Sequence, residues 1–472
     1  MQTSRADLRP PSRTLFPQPR DRRMDAQVLK QIHLLQQQAA SLLVYQSVLR
    51  QAPGQALLRL LTALGRSPAD RVDLLHTYGD WFHTLATRQQ SWQSHLLDQI
   101  LLDDNPFTQA AQRTDLSDLP QPLVAAAAAD LRSLQALYTT CTGDRLGQWL
   151  AIAAGLSLPP VGWSAADDLP TAPTALQTQR LRAQVQTAAD WASLLPDLAQ
   201  HYRRAGVGDY ARYRAFRWQG GRLEGIAHPD PISLDALVGY ERQKQTLLQN
   251  TEALLAGAPA LNVLLYGSRG TGKSSLVKAL LNQYGDRGLR LIEVGKAELA
   301  GLPDILPLLR EVPQAFILFV DDLSFEEDDE AFKALKVVLE GSVVARSPNV
   351  VVYATSNRRH LIREFFGDRP RPSDADEIHS WDTVQEKLSF GDRFGLTLTF
   401  EPADQDTYLD IVRHLARQND LPLDPKTLEF QALQWATQQN GRSGRTARQF
   451  VDWVRSANLP SANPPLPDRL DR

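Results

Sequence analysis

A glycine-rich segment near the middle of the chain has the residue types and the spacing of a phosphate-binding loop. Residues 267–274 read GSRGTGKS, after an apolar run at 261–266 and before a helical pattern that starts at Ser275. Glycines let backbone N–H groups turn toward phosphate oxygens, Lys273 offers a positive charge to the β- and γ-phosphates, and the Ser274 hydroxyl can bind Mg²⁺. The pattern predicts a nucleotide site at Gly267, Ser268, Arg269, Gly270, Thr271, Gly272, Lys273, Ser274 and Ser275.

Two aspartates follow a second apolar run. Residues 316–320 read FILFV, and Asp321 and Asp322 come directly after them, where a second parallel strand would end. A carboxylate at position 321 can hold Mg²⁺ through water, and one at position 322 can polarise a water molecule that attacks the γ-phosphate. The acidic cluster at 326–330 has the residue types of a further metal site or a substitute base, although a solvated first helical turn explains it better.

A side-chain amide follows a third apolar run. The run at 350–354 reads VVVYA and ends in Thr355, Ser356 and Asn357. An asparagine at the end of a strand is more often a turn former than a functional group. Its position after two phosphate motifs favours the functional interpretation, in which the Asn357 amide hydrogen-bonds to water or to the γ-phosphate.

These three runs belong to a region whose pattern is typical of a parallel sheet with crossover helices. After Gly225 short apolar runs alternate with helical patterns, so we expect a new domain to start near His228. Before it, apolar residues recur at helical spacing, first in one amphipathic helix over 26–49 and then in several shorter stripes. The N-terminal half is therefore predicted to be a helical bundle, and we assign no chemistry to it.

Aromatic and basic residues are interleaved between the two regions. Residues 201–218 have a composition that could stack on single-stranded nucleic acid and neutralise its phosphates. The alternative is a β-hairpin that joins two domains, with strands near 216–218 and 223–226 and a turn at Gly220 and Gly221. The hairpin is the favoured interpretation.

The composition limits the remaining possibilities. The 472-residue length allows about three domains, and 43% hydrophobic with 22% charged residues is close to a globular average. The formal charge of −3 gives no bulk attraction for nucleic acid, so such a contact needs a local basic patch. No apolar stretch approaches the length of a membrane span. The one cysteine, Cys141, cannot form an internal disulfide, which fits a reducing compartment and predicts a cytoplasmic protein.

The first residues of the chain differ in character from the rest. Residues 1–23 carry six Arg, two Asp and several prolines without the apolar segment of a secretory signal, which predicts a disordered basic arm. A transit or anionic-surface tag is the functional alternative. Met24 stands at the start of the ordered pattern, so it is an alternative start to Met1.

Taken in order, these landmarks resemble the AAA+ ATPase module over residues 234–456. The segment LVGYE at 237–241 resembles the entry segment that lines the adenine pocket in that family, here with Val238 and Gly239. Asn357 matches the family position called sensor 1. The resemblance implies an α/β fold: an AAA+ P-loop core with a parallel sheet and a small helical lid, preceded here by a mainly α-helical N-terminal domain.

Arginine positions of the family also have counterparts. The box DRFG at 392–395 resembles the one that carries the arginine finger, which would be Arg393. In the family this arginine reaches the γ-phosphate held by the neighbouring subunit, which implies a homo-oligomer, with a hexamer favoured. Near the end of the lid, GRTAR at 444–448 resembles the second sensor. Arg448 is favoured for this role over Arg445, and Arg442 on the preceding loop is the third candidate.

The resemblance further implies ATP and Mg²⁺ as ligands. Asp321 then matches the Walker B carboxylate that binds Mg²⁺, and Asp322 the position of the catalytic carboxylate. Most relatives have glutamate at the second position. Because aspartate is one methylene shorter, slow hydrolysis or a nucleotide switch is predicted. If Asp322 is the base, Asp322→Glu is expected to retain or raise activity.

Three segments resemble a more narrowly defined family, the bacterial ATP-binding proteins known as domain of unknown function 815. They read GTGKSSLV at 270–277, DDLSF at 321–325 and ATSNRRH at 354–360. The paired aspartates also resemble the replication-initiator and helicase-loader branch of AAA+ proteins, in which ATP acts mainly as an assembly signal. Both resemblances cover only the C-terminal half of the chain.

Several functions stay open on the sequence. No aromatic residue lies within 291–315, where threading AAA+ unfoldases grip their substrates, and a proline-rich tail follows the lid where initiators append a helix-turn-helix domain. The favoured hypothesis is an oligomeric ATPase that remodels or loads a protein partner. The alternatives are a DNA-associated loader and a nucleotide-binding scaffold with little turnover.

The predicted organisation is a disordered basic arm at 1–23, a helical domain at 24–200, a linker with a hairpin at 201–233, an α/β core at 234–400, a helical lid at 401–456 and a disordered tail at 457–472.

Overall fold

The computed structural model describes residues 25–66, 68–164, 168, 176–324, 330–340, 347–357, 393–439 and 441–457. The predicted basic arm at 1–23, nearly all of the predicted tail, most of the acidic cluster and residues 358–392 therefore lie outside the described residues. The chain divides into two compact units, Met1–Gln200 and His201–Arg472. In the described part, no helix combines the length and the apolar character that crossing a membrane requires.

The first unit consists of α-helices and short 3₁₀ turns within its described residues. The helices are α1 Ala26–Ala40, α2 Ala52–Leu64, α3 Arg71–Arg88, α4 Trp92–Leu102, α5 Pro106–Ala111, α6 Gln121–Thr140, α7 Gly143–Ala154 and α8 Leu176–Thr187, with α9 Leu195–Ala205 running into the second unit. Side chains cap several of the helix starts, as Ser91 does for α4 and Asn105 for α5. Trp81 and Trp92 are fully buried in the core of this unit.

The first helix is shorter than its apolar pattern predicts. α1 ends at Ala40, and a 3₁₀ turn at Tyr45–Leu49 follows. The buried carboxylate of Asp130, on α6, accepts hydrogen bonds of 2.8–3.0 Å from the backbone N–H groups of residues 43–45. Because these N–H groups bond to a side chain, they cannot continue the helical ladder. The prediction of one helix over 26–49 is therefore wrong.

The second unit is built on a sheet of seven strands among its described residues, in the order β2-β1-β4-β5-β6-β3-β7. The strands are β1 Ala215–Gln219, β2 Arg222–Ile226, β3 Val263–Gly267, β4 Leu289–Val294, β5 Ala315–Val320, β6 Val350–Ser356 and β7 Leu396–Phe400. All neighbouring pairs are parallel except the β1–β2 hairpin. Helices precede or connect the strands: α10 Asp209–Arg212, α11 Glu241–Leu255, α12 Lys273–Tyr284, α13 Leu302–Arg310 and α14 Glu330–Glu340.

Burial on both faces explains why the strands are continuous apolar runs. β5 is buried along its whole length. Phe316 and Leu318 belong to one hydrophobic cluster, and Ile317 and Phe319 belong to another. A parallel sheet covered on both faces needs apolar side chains at every position of a strand rather than at alternate positions. For this reason the three apolar runs that precede the predicted site residues are strands.

The hairpin in the segment interpreted as a linker is part of the sheet. β1 pairs with β2 in antiparallel register and with β4 in parallel register, so the hairpin extends the sheet at one edge. Phe216 and Trp218 are 1% and 2% exposed, which keeps these two rings from stacking on nucleic-acid bases. Arg217, on the opposite face of β1, pairs with Glu293 of β4 at 3.0 Å. The structure therefore favours the hairpin interpretation of this composition.

Three helices after β7 form a small bundle with a core of its own. They are α15 Gln405–Gln418, α16 Pro425–Gln438 and α17 Gly444–Ala457. Tyr408, Val412 and Phe450 are fully buried in this core. The predicted fold class is confirmed: a P-loop α/β core with a parallel sheet and a small helical lid, preceded by a mainly α-helical N-terminal region.

Candidate nucleotide-binding site

A cleft of about 550 Å³ opens where β3, β5 and β6 end, next to the helical lid. Clefts of this size hold small-molecule ligands, and in open α/β sheets they lie at the carboxyl ends of the strands. Most of the residues predicted from sequence line it, namely Val238, Gly239, Arg269, Gly270, Thr271, Gly272, Lys273, Ser274, Ser275, Asp321, Asp322, Asn357 and Arg448. The fold thus brings together residues from segments that are far apart in the chain.

Two glycines of the loop occupy positions that a side chain would obstruct. Gly267 has φ 141°, and a Cβ atom there would lie 1.9 Å from the backbone oxygen of Phe400 on β7. Gly270 has φ 77°, and its Cβ would lie 2.8 Å from the Ser443 hydroxyl oxygen just before α17. Positive φ is accessible to glycine at little steric cost. The glycines therefore let the loop pass close to β7 on one side and to the lid on the other.

Lys273 is the first residue of α12 and reaches back across the loop. Its ammonium donates hydrogen bonds to the carbonyl oxygens of Gly267 and Ser268 at 2.9 and 2.8 Å, and to Asn357 Oδ1 at 3.2 Å. Burial lowers the pKa of Lys273, and the nearby carboxylates of Asp321 and Asp322 act in the opposite direction. A buried ammonium beside a helix N-terminus is a favourable place for an anion such as a phosphate.

Ser274 and Asp321 present two oxygen atoms side by side. The Ser274 hydroxyl donates a hydrogen bond to Asp321 Oδ1 at 2.6 Å. Hydroxyl and carboxylate oxygens are the ligands that Mg²⁺ prefers, and in nucleotide sites the phosphates and water complete its coordination. The donor set therefore fits a magnesium ion bound together with a nucleotide.

The structure places Asp322 in an unusual backbone conformation. Its φ is 53°, in the left-handed region that residues with a side chain rarely adopt. The Asn357 amide donates a hydrogen bond to Asp322 Oδ1 at 2.6 Å. Since Asn357 also accepts a hydrogen bond from Lys273, one amide connects the phosphate-loop lysine to the second carboxylate.

Sequence reasoning missed one residue of this cluster, Thr355. It lines the cleft near the end of β6, and its hydroxyl donates a hydrogen bond to Asp321 Oδ1 at 2.5 Å. The same hydroxyl oxygen accepts a hydrogen bond from the backbone N–H of Asp322 at 2.9 Å. The available signal was the pair of hydroxyl side chains, Thr355 and Ser356, that follows the apolar run at 350–354.

The lining of the cleft also has an apolar component that suits a planar base. It includes Leu237, Val238, Phe400, Ile411 and Leu415. Tyr240 is another residue that the sequence did not single out. Its hydroxyl donates a hydrogen bond to the backbone oxygen of Glu401 at 2.5 Å, and its ring lies 5.1 Å from that of Phe400 between centroids. Tyr240 therefore ties the entry segment to the end of β7.

The three lid arginines have different surroundings. Arg445 and Arg448 line the cleft. The backbone N–H of Arg445 also donates a hydrogen bond of 3.3 Å to the Gly270 carbonyl, which joins the start of α17 to the loop. Arg442 is not among the lining residues, and its guanidinium donates a hydrogen bond to Gln405 at 3.2 Å.

Arg393 does not line the cleft. It lies shortly before β7 and is not among the described residues that line the cleft, while Asp392 of the same box lies outside the described residues. Gly267 and Ser268 are also absent from the lining, but their carbonyl oxygens hold the Lys273 ammonium.

Comparisons with known proteins place this site in a family. Curated proteins include no match to the chain. Among solved structures, Thermotoga maritima RuvB, titled a Holliday junction branch migration motor, is 17% identical with a TM-score of 0.33 over 48% of this chain and 65% of that chain. Two mutants of the same protein are each 18% identical over 48% of this chain, with TM-scores of 0.35 and 0.34 and coverage of 65% and 66% of their own chains. The chain thus spans just under two thirds of the length of these RuvB chains.

A family model described as protein of unknown function (DUF815) matches residues 211–458, which hold the sheet, the cleft and the lid. The match covers more than half of the 472 residues and confirms the resemblance found in three short segments. The chain therefore belongs to the DUF815 family.

Proposed function

We propose that this protein is an oligomeric AAA+ ATPase that binds Mg-ATP in the cleft and hydrolyses it to remodel or load a macromolecular partner. One observation carries the proposal. The Lys273 ammonium, the Ser274–Asp321 pair and the Asn357–Asp322 pair lie together in the cleft, whose lining also includes the apolar residues Leu237, Val238 and Ile411. A single cavity therefore offers groups that suit the phosphates, the Mg²⁺ ion and the nucleobase of a nucleotide.

The loop residues bind and orient the phosphates in this proposal. Backbone N–H groups of the loop and the start of α12 face the anion, and the Lys273 ammonium adds a positive charge. Ser274 and Asp321 hold the Mg²⁺ ion, which when bound neutralises charge on the phosphate oxygens. The apolar residues Leu237, Val238 and Ile411 take the base.

Asp322 is the proposed general base. Its carboxylate accepts the proton of the attacking water, and the Asn357 amide fixes the orientation of that carboxylate through the 2.6 Å hydrogen bond. Because Asn357 contacts Lys273 as well, a change at the phosphate end is passed to the base through one side chain. Asn357 therefore has the position of a sensor in this proposal.

Arg393 is the proposed arginine finger and acts on the cleft of a neighbouring copy of the chain. This assignment is supported by the family resemblance of its box and by the place of Arg393 outside the cleft lining. A guanidinium supplied in trans stabilises charge in the transition state and is worth about 10³–10⁵ in turnover in phosphoryl-transfer enzymes. Activity should then depend on protein concentration and on assembly.

Steady-state hydrolysis of Mg-ATP by the full chain tests the proposal. Lys273→Ala is expected to lose nucleotide binding, whereas Arg393→Ala should keep binding and lose turnover. Mixing the two inactive variants in equal amounts should restore about a quarter of wild-type turnover, because a random ring places an intact finger beside an intact site in that share of interfaces. Unchanged turnover in Arg393→Ala, or no restoration on mixing, would refute the finger.

Further measurements distinguish an ATPase that hydrolyses ATP from a nucleotide-binding scaffold and from a DNA-dependent loader. Firm nucleotide binding without turnover at any protein concentration would leave a nucleotide-binding scaffold. Stimulation by DNA that weakens steeply with salt would point to a loader. Affinity capture with the Asp322→Ala variant, which should bind ATP and hydrolyse it poorly, would identify the partner directly.

A further inference from the structure

We propose that Thr355 is a positioning residue that sets the geometry of both cleft aspartates. The inference deepens the proposed function and rests on it for the roles of Asp321 and Asp322. It adds a residue to which the sequence analysis gave no role. The claim is that one hydroxyl group fixes the metal-binding carboxylate relative to the general base.

Thr355 contacts three consecutive residues after β5. Its hydroxyl donates to Asp321 Oδ1 at 2.5 Å and accepts from the N–H of Asp322 at 2.9 Å. Its backbone oxygen accepts a hydrogen bond from the N–H of Leu323 at 2.7 Å. The chain that leaves β5 therefore turns around one threonine on the neighbouring strand.

The turn occurs where the regular pairing of β5 and β6 stops. The last registered pair of the two strands is Val320 with Ala354. Thr355 lies one residue beyond Ala354 and Asp322 lies two residues beyond Val320. Here the side chain of Thr355, in place of a backbone oxygen, accepts the hydrogen bond from the N–H of Asp322. Because the Thr355 side chain serves as the acceptor, Asp322 adopts its left-handed conformation and its backbone N–H keeps a hydrogen bond.

The left-handed conformation matters because it carries the side chain of the proposed base. A residue with a side chain keeps such a conformation only when its surroundings fix it, and these positions cluster at functional sites. Here Thr355 holds the backbone of Asp322 and Asn357 holds its carboxylate. Thr355 is only 2% exposed, so water does not readily replace its hydroxyl as the hydrogen-bond partner.

The same hydroxyl constrains Asp321. Its Oδ1 atom receives hydrogen bonds from Ser274 on the loop and from Thr355 on β6. Partners that orient a metal-binding carboxylate typically contribute 10- to 100-fold to metal affinity or activity. Loss of the Thr355 hydroxyl should therefore affect magnesium-dependent binding as well as turnover.

The test replaces Thr355 in the full-length protein. Thr355→Val keeps the shape and removes the hydroxyl, and Thr355→Ser keeps the hydroxyl. Thr251→Val is the matched control, because Thr251 is also buried and its hydroxyl bonds to the Leu247 carbonyl and to the Tyr353 hydroxyl, neither of which belongs to a residue that lines the cleft. Calorimetry with ATP in the presence and absence of Mg²⁺ measures the magnesium-dependent gain in affinity, and steady-state assays measure kcat and KM.

Thr355→Val is expected to bind ATP as wild type does without Mg²⁺. Its gain in ATP affinity on adding Mg²⁺ should be about tenfold smaller than that of the wild type, and its kcat should be about 10- to 100-fold lower. Thr355→Ser and Thr251→Val should keep both properties. If the valine variant does not fold by circular dichroism, Thr355→Ala is the second variant without a hydroxyl.

Three results would overturn the proposal. One is wild-type behaviour of Thr355→Val in both measurements, and another is an equal loss in Thr355→Ser or Thr251→Val. A loss confined to one measurement would overturn the claim that Thr355 serves both aspartates. If the wild-type protein shows no turnover, the proposed hydrolysis fails, while the magnesium measurement still decides the role of Thr355.

Discussion

Replacing Asp322 separates the conformation of this residue from the chemistry of its carboxylate. Alanine and glycine both remove the carboxylate, but only glycine adopts a φ of 53° without a steric cost. A left-handed conformation costs a residue with a Cβ about 1–2 kcal/mol. Because glycine also gains more freedom in the unfolded chain, Asp322→Gly should be more stable than Asp322→Ala by about 1 kcal/mol.

Equilibrium urea denaturation of the full chain measures this difference. With a slope near 3 kcal/mol/M, typical of a large domain, 1 kcal/mol moves the midpoint by about 0.3 M. Asp420 supplies a matched control, since it is exposed and has φ 48° at the turn after α15. Asp420→Gly should be more stable than Asp420→Ala by a similar margin, and both Asp420 variants should keep wild-type turnover.

The two Asp322 variants should lose turnover to the same extent if the carboxylate is the base. Glycine would then make the protein more stable than alanine at this position without making it more active. The reasoning would be refuted if Asp322→Ala were at least as stable as Asp322→Gly while the Asp420 pair showed the expected gap. A large difference in turnover between the two Asp322 variants would show that backbone conformation at this position, rather than loss of the carboxylate alone, limits activity.

Two further predictions concern backbone crowding at Gly267 and the buried imidazole of His95. Gly267→Ala should destabilise the second unit by about 3–5 kcal/mol, because its Cβ would lie 1.9 Å from the backbone oxygen of Phe400 at a φ of 141°. Urea midpoints test this against Gly295→Ala, since Gly295 has a φ of −69° and its Cβ would meet nothing within 4 Å. His95 is fully buried, and burial, followed by the charge of Arg88, lowers its pKa to about 4. On acidification the His95 imidazole therefore takes up a proton in the unfolded chain before it does so in the folded protein, and the free energy of unfolding should fall by about 2 kcal/mol between pH 7 and pH 5. Urea midpoints of His95→Leu, measured across this pH range, should lack this part of the decrease. The same pH dependence in His95→Leu and in the wild type would contradict the prediction.

Local patterns in the sequence predict much of the second unit. The strands around the cleft are continuous apolar runs because both sheet faces are covered, and the loop is marked by glycines at fixed spacing. Lys273, Ser274, Asp321, Asp322 and Asn357 could be placed near each other because the carboxyl ends of parallel strands share one edge of a sheet. The structure brings them together at that edge.

Features that depend on distant partners could not be predicted in this way. α1 ends early because the carboxylate of Asp130 binds the N–H groups of residues 43–45, and nothing in the local pattern reveals a partner on α6. The hairpin that looked like a linker joins β4 because Phe216 and Trp218 complete a hydrophobic cluster. Thr355 falls in the same class, since its two hydroxyl contacts are made across strands.

The structure also changes the expectation for Asp322→Glu. From the sequence alone the longer glutamate should retain or raise activity, because it restores the reach of the usual residue. In the structure, Asp322 Oδ1 already lies 2.6 Å from the Asn357 amide nitrogen, and the residue adopts a left-handed φ that aspartate tolerates better than most residues. An added methylene must push the carboxylate past Asn357 or displace the backbone from Thr355.

We therefore expect Asp322→Glu to lower kcat even if the carboxylate is the base, with nucleotide affinity unchanged. Asn357→Ala in the same background removes the amide that obstructs the longer side chain, so it should recover part of the loss, whereas Asn357→Ala alone should only reduce kcat. Steady-state kinetics of the two single variants and the double variant measure this coupling. Wild-type kcat in Asp322→Glu would show that the reach of the side chain, rather than the turn set by Thr355, limits catalysis.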